Sequence, residues 1–360
     1  MPNFPFPSDH WIDKEKKDEH IKLEIDETIQ PGKKGNTLYK VLRFVFTIGF
    51  VVFAGLFLYE VVILPIRIDK GNEQAQSLYK RPPSTIRQKD DYGKDSDSDK
   101  NPDTSHSTTS SDPDRDQYGR LLQFQDLLNV NSDVKGYIVI PNTNIDLPVV
   151  QSSNDDPEYY LIRAWNKEPI KSGSLFLDEH SSVEEKTRNL VIHGHNMKST
   201  NNMFHHLIRY KDIGFMKQNP VFTFDTIYET GEWKIFSYII TNGSGQNERF
   251  FNYQKANFKD DSDFMNFVYQ LRIRSRYNID DVDVNEDDQI LCLSTCSYEL
   301  DDYRTVIVAR KIREGEDPTV DTANITRNKN VLYPQSFYDA YGGEPPNLPD
   351  TFEEALEANL

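Results

Sequence analysis

The chain has two cysteines in 360 residues, Cys292 and Cys296. The second closes the run QILCLSTC, whose β-branched and apolar residues read as a strand. A nucleophile at a strand terminus sits on a rigid element while its side chain faces a cleft. A free thiol, with pKa about 8.5, is mostly protonated at neutral pH, so a cationic neighbour is needed to favour the thiolate. Two candidates lie within reach. His195 ends the strand-like run NLVIHGH, and Arg304 opens the run RTVIVARKI after the turn SYELDDY. A hairpin at Cys296 returns the second strand beside the first and brings the guanidinium to the thiol. Together the three groups supply a thiolate nucleophile, a general acid titrating near neutral pH and an oxyanion donor.

Each residue also has a plainer reading. A lone cysteine is most often a small buried hydrophobe. His193, two residues before His195 on the same strand face, is expected to be a satisfied structural histidine. Arg310 competes with Arg304, since it shares a face by the two-residue period, and a surface ion pair to Asp301 or Asp302 is the plain alternative for Arg304. Gly194 lets another backbone or a substrate approach closely.

Other chemistries find less support. Four residues apart on one strand, the two cysteines lie roughly 13 Å apart, too far for an unstrained disulfide. His193, His195, His205 and His206 have no second cysteine pair at zinc spacing, so neither metal nor cofactor is expected. A formal net charge of −17 argues against a nucleic-acid partner.

The elements that must hold these groups follow an uneven plan. Residues 1–43 form a charged tail. From Phe44 to Ile66 an apolar run of 23 residues, interrupted by Glu60 and Pro65, exceeds the ~20 needed to cross a bilayer. It reads as a retained membrane-spanning helix rather than a cleaved signal. Basic residues on its two sides, Lys33, Lys34, Lys40 and Arg43 against Arg67, Lys70, Lys80 and Arg81, leave the orientation undecided by charge. Residues 67–118, rich in Ser, Asp, Pro and Thr towards their end, read as a flexible linker. A short helix around Leu121–Leu128 opens the folded part, residues 119–315. The segments GYIVI, DLPVVQ, SGSLFLD, NLVIHGH, VFTFDTIY, EWKIFSYIIT, QILCLSTC and YRTVIVARKI follow, as strands of a closed or nearly closed, antiparallel-rich barrel. Phe264, Phe267, Val268 and Leu271 mark one interrupting helix, acidic at its start and basic at its end. Residues 316–360 form an extension of unknown role, with an apolar cluster around Val331–Tyr341 able to dock on the barrel.

These residues resemble the sortases, cysteine transpeptidases of Gram-positive cell envelopes, whose signature is Thr-Leu-x-Thr-Cys on a strand, an arginine on the next strand and a histidine on an earlier one. Leu293, Ser294, Thr295 and Cys296 match, with Cys292 at the first threonine position. VIHGHNM, NTNIDLPVVQ and GSLFLDEH resemble class B, as does the helix before QILCLSTC, and the resemblance covers about residues 119–313. It implies a mainly β fold, a closed eight-stranded barrel with peripheral helices, preceded by a single transmembrane helix. It implies His195, Cys296 and Arg304 as catalytic residues, with Asn144, Ser294, Thr295 and Ser297 about the substrate. The partners it implies are secreted proteins with a C-terminal sorting motif and a peptidoglycan stem or cross-bridge amine. The address is the cell membrane, with the N-terminus cytoplasmic and the catalytic domain outside. A pilus-polymerising sortase, a hydrolytic cysteine protease and a membrane-tethered binding module with an inert thiol remain alternatives.

Overall fold

The computed structural model describes residues 35–80, 114–153, 155–243 and 250–358. The tail up to residue 34 and the Ser/Asp-rich stretch 81–113 lie outside them. The described residues up to Leu58 form one compact unit, and those from Tyr59 onward form another.

Helix α1, Gly35–Leu58, is followed by a five-residue π turn, Tyr59–Ile63, and by α2, Leu64–Leu78. Thr37–Leu78 is the one helix among the described residues long and apolar enough to cross a membrane. The helical stretch therefore exceeds the expected 44–66. Pro65 does not end it, because the π turn places the proline in the first turn of α2, where its missing N–H removes no intrahelical bond.

Residues 67–79 correct the expectation of a flexible linker beginning at Arg67. Leu64, Ile68 and Ala75 fall on one face of α2 and are buried. Trp165 donates from Nε1 to the Gly71 carbonyl at 3.0 Å, and Gln76 donates to the Asp146 carbonyl. Just past α2, Tyr79 stacks on Tyr137 with ring centroids 4.0 Å apart and donates its hydroxyl to Asp225. The far end of the presumed linker is ordered too, since Arg115 bonds to the carbonyls of Gly119 and Tyr228.

After the short helix α3, Gln125–Val130, come β1 Val134–Val139, β2 Asp146–Val150, β3 Leu175–Leu177 and β4 Asn189–His193. The pair β5 Asn196–Met197 and β6 Asn202–Met203 leads to a 3-10 helix over Phe204–Lys211 and to α4, Ile213–Gln218. Next are β7 Val221–Thr226, β8 Glu232–Asn242, α5 Asp261–Ile273, β9 Tyr277–Asn278, β10 Ile290–Cys296 and β11 Tyr303–Lys311. The chain finishes with β12 Thr326–Arg327, α6 Gln335–Tyr341 and α7 Phe352–Glu357.

Eight strands close into a barrel in the order β1-β2-β3-β4-β10-β11-β8-β7. The pairings β2 with β3 and β4 with β10 are parallel, and the rest antiparallel. Closure needs close contact at Gly136, where any Cβ would stand 2.5 Å from the Phe224 ring. Six consecutive residues of β10 are buried, as in a strand covered on both faces. Helix α5 buries Phe264, Phe267, Val268 and Leu271, and Asp260 caps it by accepting from the Asp263 N–H at 2.9 Å. The extension packs onto this body: β12 pairs with β9, and Phe352 lies against Tyr269.

Candidate active site

Cys296 is the last residue of β10 and the only exposed one. Its strand lies between β4 and β11, and Cys296 itself is paired on the β11 side while β4 ends opposite Ser294.

On the β11 side, Arg304 is the cross-strand partner of Cys296. Directly opposed residues of an antiparallel pair project to the same face, with Cβ atoms about 5 Å apart. The guanidinium is turned toward the loop: Nη2 is 3.2 Å from Asp302 Oδ1, and Nη1 donates to the Tyr303 carbonyl at 3.2 Å. The plainer reading of Arg304 is thus realised alongside its position opposite the thiol. Arg310 is no competitor. It is fully buried, pairs with both carboxylate oxygens of Glu316 at 2.6 and 2.7 Å, and donates from Nε to the Asp283 carbonyl.

On the β4 side, Ser294 pairs with His193, and Gly194 donates its N–H to the Ser294 carbonyl at 3.1 Å. The strand pairing ends at His193, and the segment beyond it, which carries His195, stays beside β10 through side-chain bonds. Three hydrogen bonds stitch this end. Thr295 Oγ1 donates to the Gly194 carbonyl at 2.7 Å, Asn196 Nδ2 to the Cys296 carbonyl at 2.8 Å, and Tyr298 Oη to the Asn196 carbonyl at 2.9 Å. His195 Nε2 lies 2.9 Å from the Leu161 carbonyl. A carbonyl only accepts, so Nε2 carries a hydrogen in either charge state and Nδ1 is the nitrogen left to exchange a proton.

Gly194 is required for packing. A Cβ there would stand 2.4 Å from Leu175 and 2.8 Å from Phe204, so core side chains fill the space that the sequence left open for a ligand. His193 is held through Nε2 by Asp178 Oδ2 at 3.1 Å. Burial pushes the Asp178 carboxyl up, but hydrogen bonds from His193 and His180 outweigh it and leave the group below its ordinary range. Cys292 is fully buried, and burial pushes its thiol far up despite a hydrogen bond with Asn189.

The four residues expected about the substrate occupy two places. Ser294, Thr295 and Ser297 are buried beside Cys296 with their hydroxyls engaged. Ser294 Oγ meets Tyr253 Oη at 2.9 Å, Thr295 reaches Gly194, and Ser297 donates to Glu299. Burial pushes Tyr253 up to about 12, so its phenol stays neutral there. Asn144 is exposed in the β1–β2 turn, where its N–H donates to His206 Nδ1 at 3.2 Å and its side chain to the Asn201 carbonyl.

Asn196 went unread in the sequence. Its amide NH₂ bonds the Cys296 carbonyl and its oxygen takes a 2.6 Å bond from His205 Nδ1. Burial, and then the nearby Lys198 charge, hold His205 below its ordinary range. The signal was present as the residue after His195 in GHNM, but a single asparagine in a turn-like string reads as a turn former. No group of three or more His, Cys, Asp or Glu among the described residues could hold a metal.

Residues 138–312 match the sortase domain family. The chain is similar to sortase B of Listeria monocytogenes, 32% identical over 179 residues that cover 50% of this chain and 69% of the relative. It is also similar to sortase B of Staphylococcus aureus, 29% identical over 193 residues, covering 53% and 75%. Among solved structures, a Bacillus anthracis protein described as similar to sortase B superposes with a TM-score of 0.53 at 26% identity, covering 69% of this chain and 98% of that one.

Proposed function

We propose that this chain, which belongs to the sortase family as a class B cysteine transpeptidase, uses Cys296 as nucleophile, His195 as general acid and base, and Arg304 as oxyanion donor. The observation that carries this reading is the position of Cys296: the single exposed residue of β10, directly across from Arg304 and stitched on its other side to the segment bearing His195.

In the first half-reaction, the Cys296 thiolate attacks the threonyl carbonyl of a C-terminal sorting motif, and the oxygen gains the negative charge that Arg304 and a backbone N–H offset. The C–N bond breaks as His195 Nδ1 protonates the departing amine, leaving a thioacyl enzyme. A peptidoglycan stem or cross-bridge amine then attacks the thioester and yields its proton to His195. The new amide releases the thiolate. To face the oxyanion, Arg304 must leave Asp302. Both partners of that pair are partly exposed, at 28% and 49%, and such pairs contribute at most about 1 kcal/mol.

Sortases act on proteins bearing sorting motifs, and one apolar helix precedes the domain, as suits a membrane-anchored sortase. We assign the donors to secreted surface proteins, the catalytic domain to the outer face and the N-terminus to the cytoplasm, since the acceptor amine is found outside. Ser294, Thr295 and Ser297 serve as the braced wall behind the sulfur, and Asn144 as a substrate contact on the β1–β2 turn. Mass spectrometry of the purified protein with motif peptides and candidate amines tests the reading. A peptide mass added at Cys296 and transferred to the amine is expected. Transfer to water alone would make the enzyme a hydrolase, and no adduct at all would overturn the assignment of the thiol.

A further inference from the structure

We infer that the C-terminal extension is a positioning element of the active site, in which Ser336 and Tyr341 fix the loop that joins Cys296 to Arg304. The inference rests on the roles given above to those two residues. It concerns a segment beyond residue 312, where the family match ends.

The loop Ser297–Asp302 sets how thiol and guanidinium face one another, because the two residues are the last cross-strand pair of the hairpin. On the body side it is tied through Tyr298 to the Asn196 carbonyl, through Glu299 to Lys211 and through the Asp302 carbonyl to the Gly243 N–H. Between these ties a cavity of about 320 Å³ lies against it, lined by Lys211, Tyr238, Ser297, Glu299, Thr305 and Tyr341, so its middle is not filled in by packing. Asp302 at its end has φ of 57°, a left-handed conformation that Asp adopts at modest cost and that neighbouring contacts help to hold. The extension supplies two of those contacts. Tyr341 Oη donates to the Glu299 carbonyl at 2.5 Å, and Ser336 Oγ meets Tyr303 Oη at 2.5 Å. Tyr303 in turn accepts the Ser297 N–H on its carbonyl at 2.7 Å.

Helix α6 is itself anchored. Leu332 donates its N–H to the Ile273 carbonyl at the end of α5, and Tyr338 Oη donates to the Val331 carbonyl at 3.0 Å. The Tyr333 and Phe337 rings stack with centroids 4.0 Å apart, and the Tyr341 ring lies tilted against Phe337 at 4.7 Å. The end of α5 is thereby tied, through one aromatic ladder, to the loop beside the sulfur.

The test uses the full chain in detergent, comparing wild type with the double variant Ser336→Ala/Tyr341→Phe and with Ser336→Thr. The double variant is expected to lose about tenfold in kcat, the scale of a lost hydrogen bond expressed as a rate, with the motif-peptide KM within about twofold. Alkylation of Cys296 by iodoacetamide is expected to slow at unchanged Tm, and Ser336→Thr, which keeps the hydroxyl, to behave as wild type. A double variant with wild-type kcat, or one whose lost activity tracks a lowered Tm at unchanged alkylation, overturns the inference. Cys296→Ala run in parallel separates the two levels: activity without the thiol would overturn the catalytic assignment itself.

Discussion

Arg304 is the cross-strand partner of Cys296, yet its guanidinium is 3.2 Å from the carboxylate of Asp302 in the same hairpin. The backbone therefore fixes the spacing of the two Cα positions, while a partly exposed ion pair sets where the guanidinium points.

Arg304→Ala should lower kcat by roughly 10²–10³, the usual consequence of removing one oxyanion donor. Asp302→Asn should change stability by less than about 0.5 kcal/mol and leave transpeptidation at or above the wild-type rate. A steep loss of activity in Asp302→Asn, measured by steady-state kinetics, would mean that the ion pair is the working arrangement of the arginine.

The two thiols should separate cleanly. A methanethiosulfonate reagent is expected to label Cys296 and spare Cys292, which is buried with a thiol pushed up by its surroundings. Cys292→Ala should keep activity and cost about 1 kcal/mol for the small cavity. Equal damage from Cys292→Ala and Cys296→Ala in peptide cleavage would reverse the choice of nucleophile.

Asn196→Ala removes the amide that spans from the Cys296 carbonyl to His205. The expected cost is about 1–2 kcal/mol in chemical denaturation, with a larger proportional fall in kcat than in motif-peptide affinity. Unchanged kcat in a folded variant would reduce Asn196 to a packing residue.

Stability should weaken in acid through the Arg310 cluster. Hydrogen bonds from Arg310 hold the Glu316 carboxyl far below its ordinary range, outweighing the opposing effect of burial. The unfolded chain takes up this proton near pH 4.3. The contribution is thus complete above that pH and is lost as pH falls toward the folded value. Glu316→Gln should cost about 3 kcal/mol, because Arg310 stays buried without its strongest partner, and should flatten the Tm profile below pH 4.3. A variant with the wild-type acid profile would place the sensitivity elsewhere.

Strand periodicity and the QILCLSTC and RTVIVARKI runs made the barrel and the Cys296–Arg304 hairpin legible, because alternation and turn residues encode local pairing directly. The parallel neighbour β4 was less so, since nothing local in NLVIHGH states which strand it joins. Residues 67–79 resemble a linker in sequence because the buried face of α2 is carried by Leu64, Ile68 and Ala75, with Leu78 at its edge, too sparse to stand out beside a membrane span. Asn196, Tyr298 and Tyr341 act through hydrogen bonds across long sequence separations, and such bonds leave no periodic trace. Gly194 was seen as an opening, whereas Leu175 and Phe204 occupy it; the sequence marks the need for a small residue without saying what fills the gap.

The docking of α2 bears on how a water-soluble form of the enzyme should be cut. Trimming at Arg81, where composition turns polar, would strip away Leu64, Ile68, Ala75 and the Tyr79 ring, baring the apolar surface around Tyr137 and Trp165. A fragment beginning at Leu64 would instead retain the helix as a permanent lining of the catalytic body and leave out the exposed Val61, Val62 and Ile63.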